Sequence, residues 1–218
     1  MNDNQIILRR ERPADYRAVE VLTREAFWNV NRPGCDEHYL AHILRESDAF
    51  LPALDYVAVV DGTIVGNIMY ATSSVVLDAG GTLPVITFGP VSVLPEFQRQ
   101  GVGKRMIRHT RMLARRMGYS AILIYGDPAY YGRLGFEPAE QFRIGGEDNR
   151  YRDALQVFEL MPGALDLAAG RFLEDSIYHI DAAAAEAFDS SFPQKEKLSG
   201  TPSQLRFRKI VARNHPRS

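Results

Sequence analysis

Two stretches of this sequence combine residue types able to do chemistry. The first, Gln98-Arg99-Gln100-Gly101-Val102-Gly103-Lys104, joins two glycines to polar and basic side chains just where a helical pattern begins. The first turn of a helix carries backbone N–H groups without intrahelical partners and the positive end of the dipole, so such a loop attracts an anion. Two phosphate loops of known pattern do not fit. A P-loop would need glycine where Gln98 stands and Ser or Thr where Arg105 stands, and a dinucleotide fingerprint would need a small residue in place of Met106. A simple tight turn between strand and helix stays open from these residues alone. The second stretch, Cys35-Asp36-Glu37-His38, brings a thiol, carboxylates and an imidazole together. Groups so close along a chain seldom converge in space, so no covalent acyl-enzyme is expected from them.

The surrounding elements follow from periodicity and turn chemistry. Val85 to Val93 reads as a buried strand, and Gly89-Pro90 in its middle suggests a bulge. Val102 to Met117 reads as a helix with Met106, Ile107, Leu113 and Met117 on one side. Ala121–Tyr125 then returns as a strand, and strand, helix, strand implies a parallel crossover. Upstream, Gln5–Arg10 is a first strand, Pro13 opens a helix reaching Phe27, and Glu37–Glu46 resumes helix after an irregular stretch. Tyr56–Val60 and Thr63–Tyr70 face each other across Asp61-Gly62, a hairpin signal, and Asp78–Gly81 turns into the central strand. Downstream, Asp127-Pro128 caps a short helix, while Phe136 and Leu155–Leu160 supply the last two strands around a polar loop, Gly145–Arg150.

The 26 basic and 27 acidic residues leave a formal charge of −1, which gives no reason to expect nucleic-acid or membrane binding. Lys104, Arg105, Arg108, Arg111, Arg115 and Arg116 make one helix face basic, yet no aromatic platform accompanies them, and a solvated face is the simpler reading. The polar Met1–Gln5 start and the lack of a long apolar run point to a cytoplasmic protein. A single cysteine, Cys35, excludes an internal disulfide framework and an all-cysteine metal cage.

Gln98-x-x-Gly101-x-Gly103, directly after Val91-x-Val93-x-Pro95, closely resembles the acyl-CoA pyrophosphate loop of the GNAT superfamily of N-acetyltransferases. Tyr131-Gly132-Arg133-Leu134-Gly135-Phe136 is similar to the Tyr-x-x-x-Gly-Phe segment of that superfamily, in the same order along the chain. The resemblance covers roughly Ile6 to Leu160, and Gly126–Tyr131 is similar to a bacterial branch whose substrates are largely uncharacterised. It implies an α/β (α+β) fold: a mixed, mostly antiparallel sheet flanked by helices, with splayed central strands. The expected division is a GNAT domain at residues 6–162 and a C-terminal extension of unassigned role at 163–218.

The activity implied is transfer of an acetyl group from acetyl-CoA to an amine by direct transfer in a ternary complex, with no metal. A catalytically idle acyl-CoA-binding regulatory module is the alternative. By resemblance the pyrophosphate rests on backbone N–H groups of Gln98, Arg99, Gln100, Gly101, Val102, Gly103 and Lys104, and pantetheine lies along Val91, Ser92 and Val93. Asp127 is a further cofactor contact, although Ile124 stands where many relatives have asparagine. Tyr131 occupies the position of the tyrosine that protonates the CoA sulfur, which a phenol of reference pKa about 10 can do for a thiolate of about 8.5; packing is its other reading. Phe27, Trp28, Asn29, Asn31 and His38 are acceptor candidates by resemblance, and their types equally suit core packing and loop capping. No general base is legible, the acceptor and oligomeric state are open, and Val85–Leu94 holds no acid.

Overall fold

A computed structural model of the protein describes residues 6–217. In chain order its elements are β1 (Ile7–Arg10), α1 (Tyr16–Phe27), α2 (Glu37–Leu44), β2 (Tyr56–Val60), β3 (Thr63–Leu77), β4 (Thr82–Val93), α3 (Val102–Arg116), β5 (Ala121–Tyr125), α4 (Pro128–Tyr131), β6 (Glu137–Pro138), β7 (Ile144–Gly145), β8 (Arg150–Arg152), β9 (Leu155–Glu159), β10 (Gly170–Leu173), α5 (Ala182–Asp189), α6 (Pro202–Val211) and β11 (Asn214–Pro216). The sheet is open, mixed and mostly antiparallel, in the order β1-β2-β3-β4-β5-β9-β6, with β10 beside β3 and β7 beside β10. Gln5, expected in the first strand, lies outside the described residues. The chain divides into two compact units, and β3, β4 and α3 contribute residues to both.

One unit holds the described residues up to Tyr70, with Gly89–Thr110 and Ser176–Leu205. In it β1 pairs antiparallel with β2, from Ile7↔Val59 to Arg10↔Tyr56. Strand β2 pairs with the first half of β3, with a bulge between Ala58 and Val59. Asp61 and Gly62 make the turn with φ of 48° and 79°, the positive values a two-residue type I′ hairpin requires. Helix α1 begins after a 3-10 turn at Pro13–Asp15, and Asp15 accepts from the Arg12 N–H at 2.8 Å and from the Arg9 guanidinium. Leu22 of α1 and Leu44 of α2 are buried with Leu54 and Ile68, each side chain worth about 1.5–3 kcal/mol of burial.

The other unit holds Ala71–Phe88, Arg111–Asp175 and the described residues from Arg206. Strand β5 is its axis, parallel to β4 at Ile86↔Ile122 and antiparallel to β9 from Ala121↔Glu159 to Tyr125↔Leu155. A ladder with a single β4–β5 register pair suits the expected splay of the central strands. Val75, Val85, Leu123, Leu155, Val157 and Phe172 form the core of this unit.

Four expectations change. Strand β3 runs to Leu77 and not to Tyr70, because Val75 is buried within the small polar run that hid the alternation. The polar stretch Gly145–Arg150 is bounded by two further short strands, β7 and β8, the second paired with β11. The strand at Leu155–Glu159 is not the last one, since β10 follows and pairs with β3 from Gly170↔Leu77 to Leu173↔Ser74, driven by burial of Leu165, Ala168 and Phe172. The buried stripe of α3 is Val102, Met106, Ile107, Thr110 and Ala114, whereas Met117 lies past the last helical residue and is exposed.

Candidate active site

The anion loop is built from β4 onward. Ser92 is buried and donates from Oγ to Thr23 Oγ1 at 3.0 Å, so its side chain points into the core while Val91 and Val93 are half-buried. After the Leu94 N–H bonds to Val65 O at 3.0 Å, a 3-10 turn at Pro95–Phe97 leads into the loop. Two glutamines hold it against its own approach: Gln98 Nε2 donates to Val93 O at 3.0 Å, and Gln100 Nε2 to Glu96 O at 2.6 Å. Arg99 and Gly101 take φ of 59° and 89°, and a Cβ on Gly101 would meet no atom within 4 Å, so space opens above the loop. The first α3 bond is Arg105 N–H to Gly101 O at 2.9 Å. The N–H groups of Val102, Gly103 and Lys104 precede it and have no intrahelical acceptor, as an anion cradle needs.

Tyr131 belongs to the other unit. Asp127 caps α4 by accepting from the Ala129 N–H at 2.9 Å, and its second oxygen accepts from Arg206 Nε at 3.0 Å. Both oxygens of this proposed cofactor contact therefore serve the helix and an ion pair. The Tyr131 ring packs edge-on to Phe136 and Tyr130, with centroids 5.4 Å and 4.9 Å away, and tilted to Phe88 at 5.9 Å. Its Cε2–Cδ2 edge also lies against Gly126, where a Cβ would be 2.1 Å from Tyr131 Cε2. The turn after it is pinned by Arg111, which donates to Leu134 O at 2.7 Å and stacks 3.8 Å over Phe158. Arg111 was expected on a solvated basic face; only the fold reveals that it reaches the tyrosine's turn.

Of the residues expected to meet the acceptor, several have side-chain groups already engaged. Trp28 Nε1 and Asn29 Nδ2 both donate to Glu196 O, at 2.9 and 3.0 Å, and Asn29 Oδ1 accepts from the N–H groups of Gly34 and Leu198. Asn31 Nδ2 donates to Glu37 Oε1 at 2.9 Å, and Phe27 is half-buried. His38 is fully buried and offers no surface to an acceptor, which corrects its placement as a substrate contact.

His38 instead corrects the convergence argument. Its Nδ1 is 3.5 Å from Cys35 Sγ and its Nε2 is 3.0 Å from Asp189 Oδ1, so thiol, imidazole and carboxylate do meet, with Asp189 of α5 in place of Asp36. Asp36 pairs with Arg32 at 2.9 Å. Burial raises the Cys35 thiol and lowers His38, the opposite of what a thiolate nucleophile needs, and Arg24 holds Asp189 through a 2.6 Å bond. The cluster therefore serves to dock α5 against α1 and α2. Against burial, the hydrogen bond and charge of Arg24 keep Asp189 below the ordinary carboxylate range. Asp189 lies 151 residues from His38, which no local pattern could signal.

Among the described residues no group of three or more His, Cys, Asp or Glu is placed to hold a metal ion, and no helix is long and apolar enough to cross a membrane.

A family profile for the acetyltransferase (GNAT) domain matches residues 8–139. The chain is 30% identical over 166 residues to the uncharacterized N-acetyltransferase YhbS of Escherichia coli K12, covering 76% of this chain and 93% of that protein. The crystal structure of the GNAT family N-acetyltransferase YhbS from Escherichia coli in complex with CoA is similar to it with a TM-score of 0.71 at 28% identity, over 81% of this chain and 93% of that one. A GNAT family acetyltransferase from Brucella melitensis in complex with acetyl-CoA gives a TM-score of 0.63 at 26% identity, over 79% and 97% of the two chains.

Proposed function

The chain belongs to the GNAT acetyltransferase family, and from that premise we propose that it transfers acetyl from acetyl-CoA to an amine acceptor directly, within a ternary complex. The observation that carries this reading is the loop from Gln98 to Gly101, exposed, open above Gly101 and followed by the first-turn N–H groups of α3, which have no intrahelical acceptor. Fixed donors of that kind suit the pyrophosphate of CoA, and Lys104 adds charge beside them. Val91, Ser92 and Val93 offer main-chain groups to the pantetheine arm, as an edge strand offers them to an added strand.

In this reading Tyr131 donates its hydroxyl proton to the departing thiolate. The acceptor side is assigned to the loop of Phe27, Trp28, Asn29 and Asn31, through aromatic faces and backbone, since their side-chain nitrogens are held internally. Calorimetric titration with acetyl-CoA, followed by thiol release with a panel of primary amines, tests the proposal. Expected are binding and acceptor-dependent thiol release. Absence of acetyl-CoA binding would overturn it, and binding without release for any amine would favour the idle module.

A further inference from the structure

A binding loop contributes affinity only when it is held in the conformation that binds, and the loop assigned to the acceptor has no regular structure of its own. Between α1 and α2 the chain from Trp28 to Asp36 is turns and bends, with Asn29 and Gly34 at φ of 62° and 70°. The Asn29 N–H bonds to Gly34 O and the Gly34 N–H to Asn29 Oδ1, which closes the loop without fixing its attitude to the sheet.

That attitude is set from two sides, both within one unit. On the inner side Thr23 is fully buried and accepts from Ser92 Oγ at 3.0 Å. Thr23 precedes Phe27 by about one helical turn, roughly 6 Å, so the end of α1 lies against the stretch of β4 given to pantetheine. On the outer side a later segment crosses the loop. Trp28 Nε1 and Asn29 Nδ2 donate to Glu196 O, and the Leu198 N–H donates to Asn29 Oδ1 at 3.0 Å. The Asn29 carbonyl accepts from Thr201 Oγ1 at 3.1 Å and from Gln204 Nε2 at 3.2 Å. Gln204 is fully buried, and it also closes the crossing segment on itself, donating to Leu198 O and accepting from the Gly200 N–H, each at 2.8 Å. At the start of the segment Asp189 is bonded to Arg24, whose guanidinium also stacks 4.2 Å over the Trp28 ring. Tyr178, from the same part of the chain, donates to Gly89 O at 3.3 Å, two residues before Val91. One stretch from Tyr178 to Gln204 therefore touches both the strand given to the thioester arm and the loop given to the acceptor. The fastening at the loop is by polar bonds to main chain, which add little net stability and fix direction.

We propose that this stretch positions the acceptor loop, and that Gln204 and Thr201 act through Asn29 to set how tightly the enzyme binds its amine, an inference that rests on the acetyl-transfer reading above. With the bonds made, the Trp28 ring and the loop backbone meet the amine already ordered. Without them the loop samples other conformations, and amine binding must supply the free energy of ordering it.

The test uses the full chain. Gln204→Met keeps the side-chain volume and removes the bonds to Asn29 O, Leu198 O and the Gly200 N–H, while Thr201→Val removes the hydroxyl that donates to Asn29 O. Trp28 is the sole tryptophan of the sequence, so its emission reads the loop directly. In Gln204→Met the Asn29 and Gly34 amides should exchange faster and Trp28 emission should shift to the red. Thiol release is measured with benzylamine, putrescine and lysine methyl ester, and the fastest of these is taken for KM. Its KM should rise about tenfold, the worth of one or two hydrogen bonds, with kcat and acetyl-CoA affinity changing by less than about twofold. Thr201→Val should raise the same KM by less, and it decides the matter if Gln204→Met does not fold. Leu54→Ala empties a fully buried site of the same unit away from the loop, so it should lower the melting temperature and leave the amine KM in place. Unchanged exchange in the strap variants would show that the crossing segment does not order the loop, and faster exchange with an unchanged amine KM would show that loop order does not govern the acceptor; either overturns the inference. An equal rise in Leu54→Ala would reduce the effect to general destabilisation. A wild type that releases thiol with none of the three amines would sink the transfer reading and this inference with it, whereas an active wild type with unchanged variants would sink the inference alone.

Discussion

Substituting Gly126 by alanine probes the tyrosine without touching its hydroxyl. The new Cβ would stand 2.1 Å from Tyr131 Cε2 and 2.6 Å from Cδ2, so restoring ordinary contact at 3.4 Å requires the ring edge to retreat by about 1.3 Å. Phe88, Phe136 and Tyr130 pack against the ring and resist that movement. Overpacking of this kind costs about 1–3 kcal/mol of stability, and misplacing a catalytic group by about 1 Å costs on the order of 10²-fold in rate. We therefore expect Gly126→Ala to lower kcat for thiol release by roughly two decades, with CoA affinity close to wild type because the loop at Gln98–Lys104 is untouched. Gly132→Ala is the control: it sits in the same short helical stretch at φ −57°, and its Cβ would meet no atom within 4 Å. Stopped thiol-release assays at saturating acetyl-CoA, with melting curves and calorimetry on each variant, decide the matter. If folded Gly126→Ala turns over at the wild-type rate while Tyr131→Phe does not, the ring does not lie where this reasoning places it.

Tyr131→Phe should keep the ring's packing and lose about 10²–10⁴-fold in kcat with little change in CoA affinity, and Tyr130→Phe should lose little; equal minor losses would return Tyr131 to packing. Gly101→Asp and Gly103→Asp together should abolish CoA binding by calorimetry while circular dichroism stays native, since Asp adds like charge at the anion site and Gly101 holds a φ of 89°. Arg24→Ala should cost about 3–5 kcal/mol in urea unfolding, because it strands Asp189, which is bonded to Arg24 at 2.6 Å in a buried setting. Stability should also fall with acidity: burial lowers His38 in the folded state, so below its unfolded value of about 6.5 the unfolded chain binds more protons and stability declines as pH drops. Asp189, depressed in the folded state, holds its contribution above its unfolded value of about 3.9 and loses it as pH falls through the lower folded one. His38→Gln should flatten the first of these two declines, as followed by unfolding midpoints across pH.

What the sequence determined was local. The hairpin at Asp61-Gly62, the cap at Asp127-Pro128 and the glycine loop entering α3 each depend on the residues that form them, through required φ values, capping oxygens and unpaired first-turn N–H groups. They were therefore legible, and with them the family. Tertiary structure alone decided which distant residues meet. Strand β10 joins the sheet because Phe172 finds a core made by Val75, Leu123 and Leu155, none of them its sequence neighbours. Asp189 reaches His38, Arg111 reaches Leu134, and Trp28 meets the carbonyl of Glu196 by the same route.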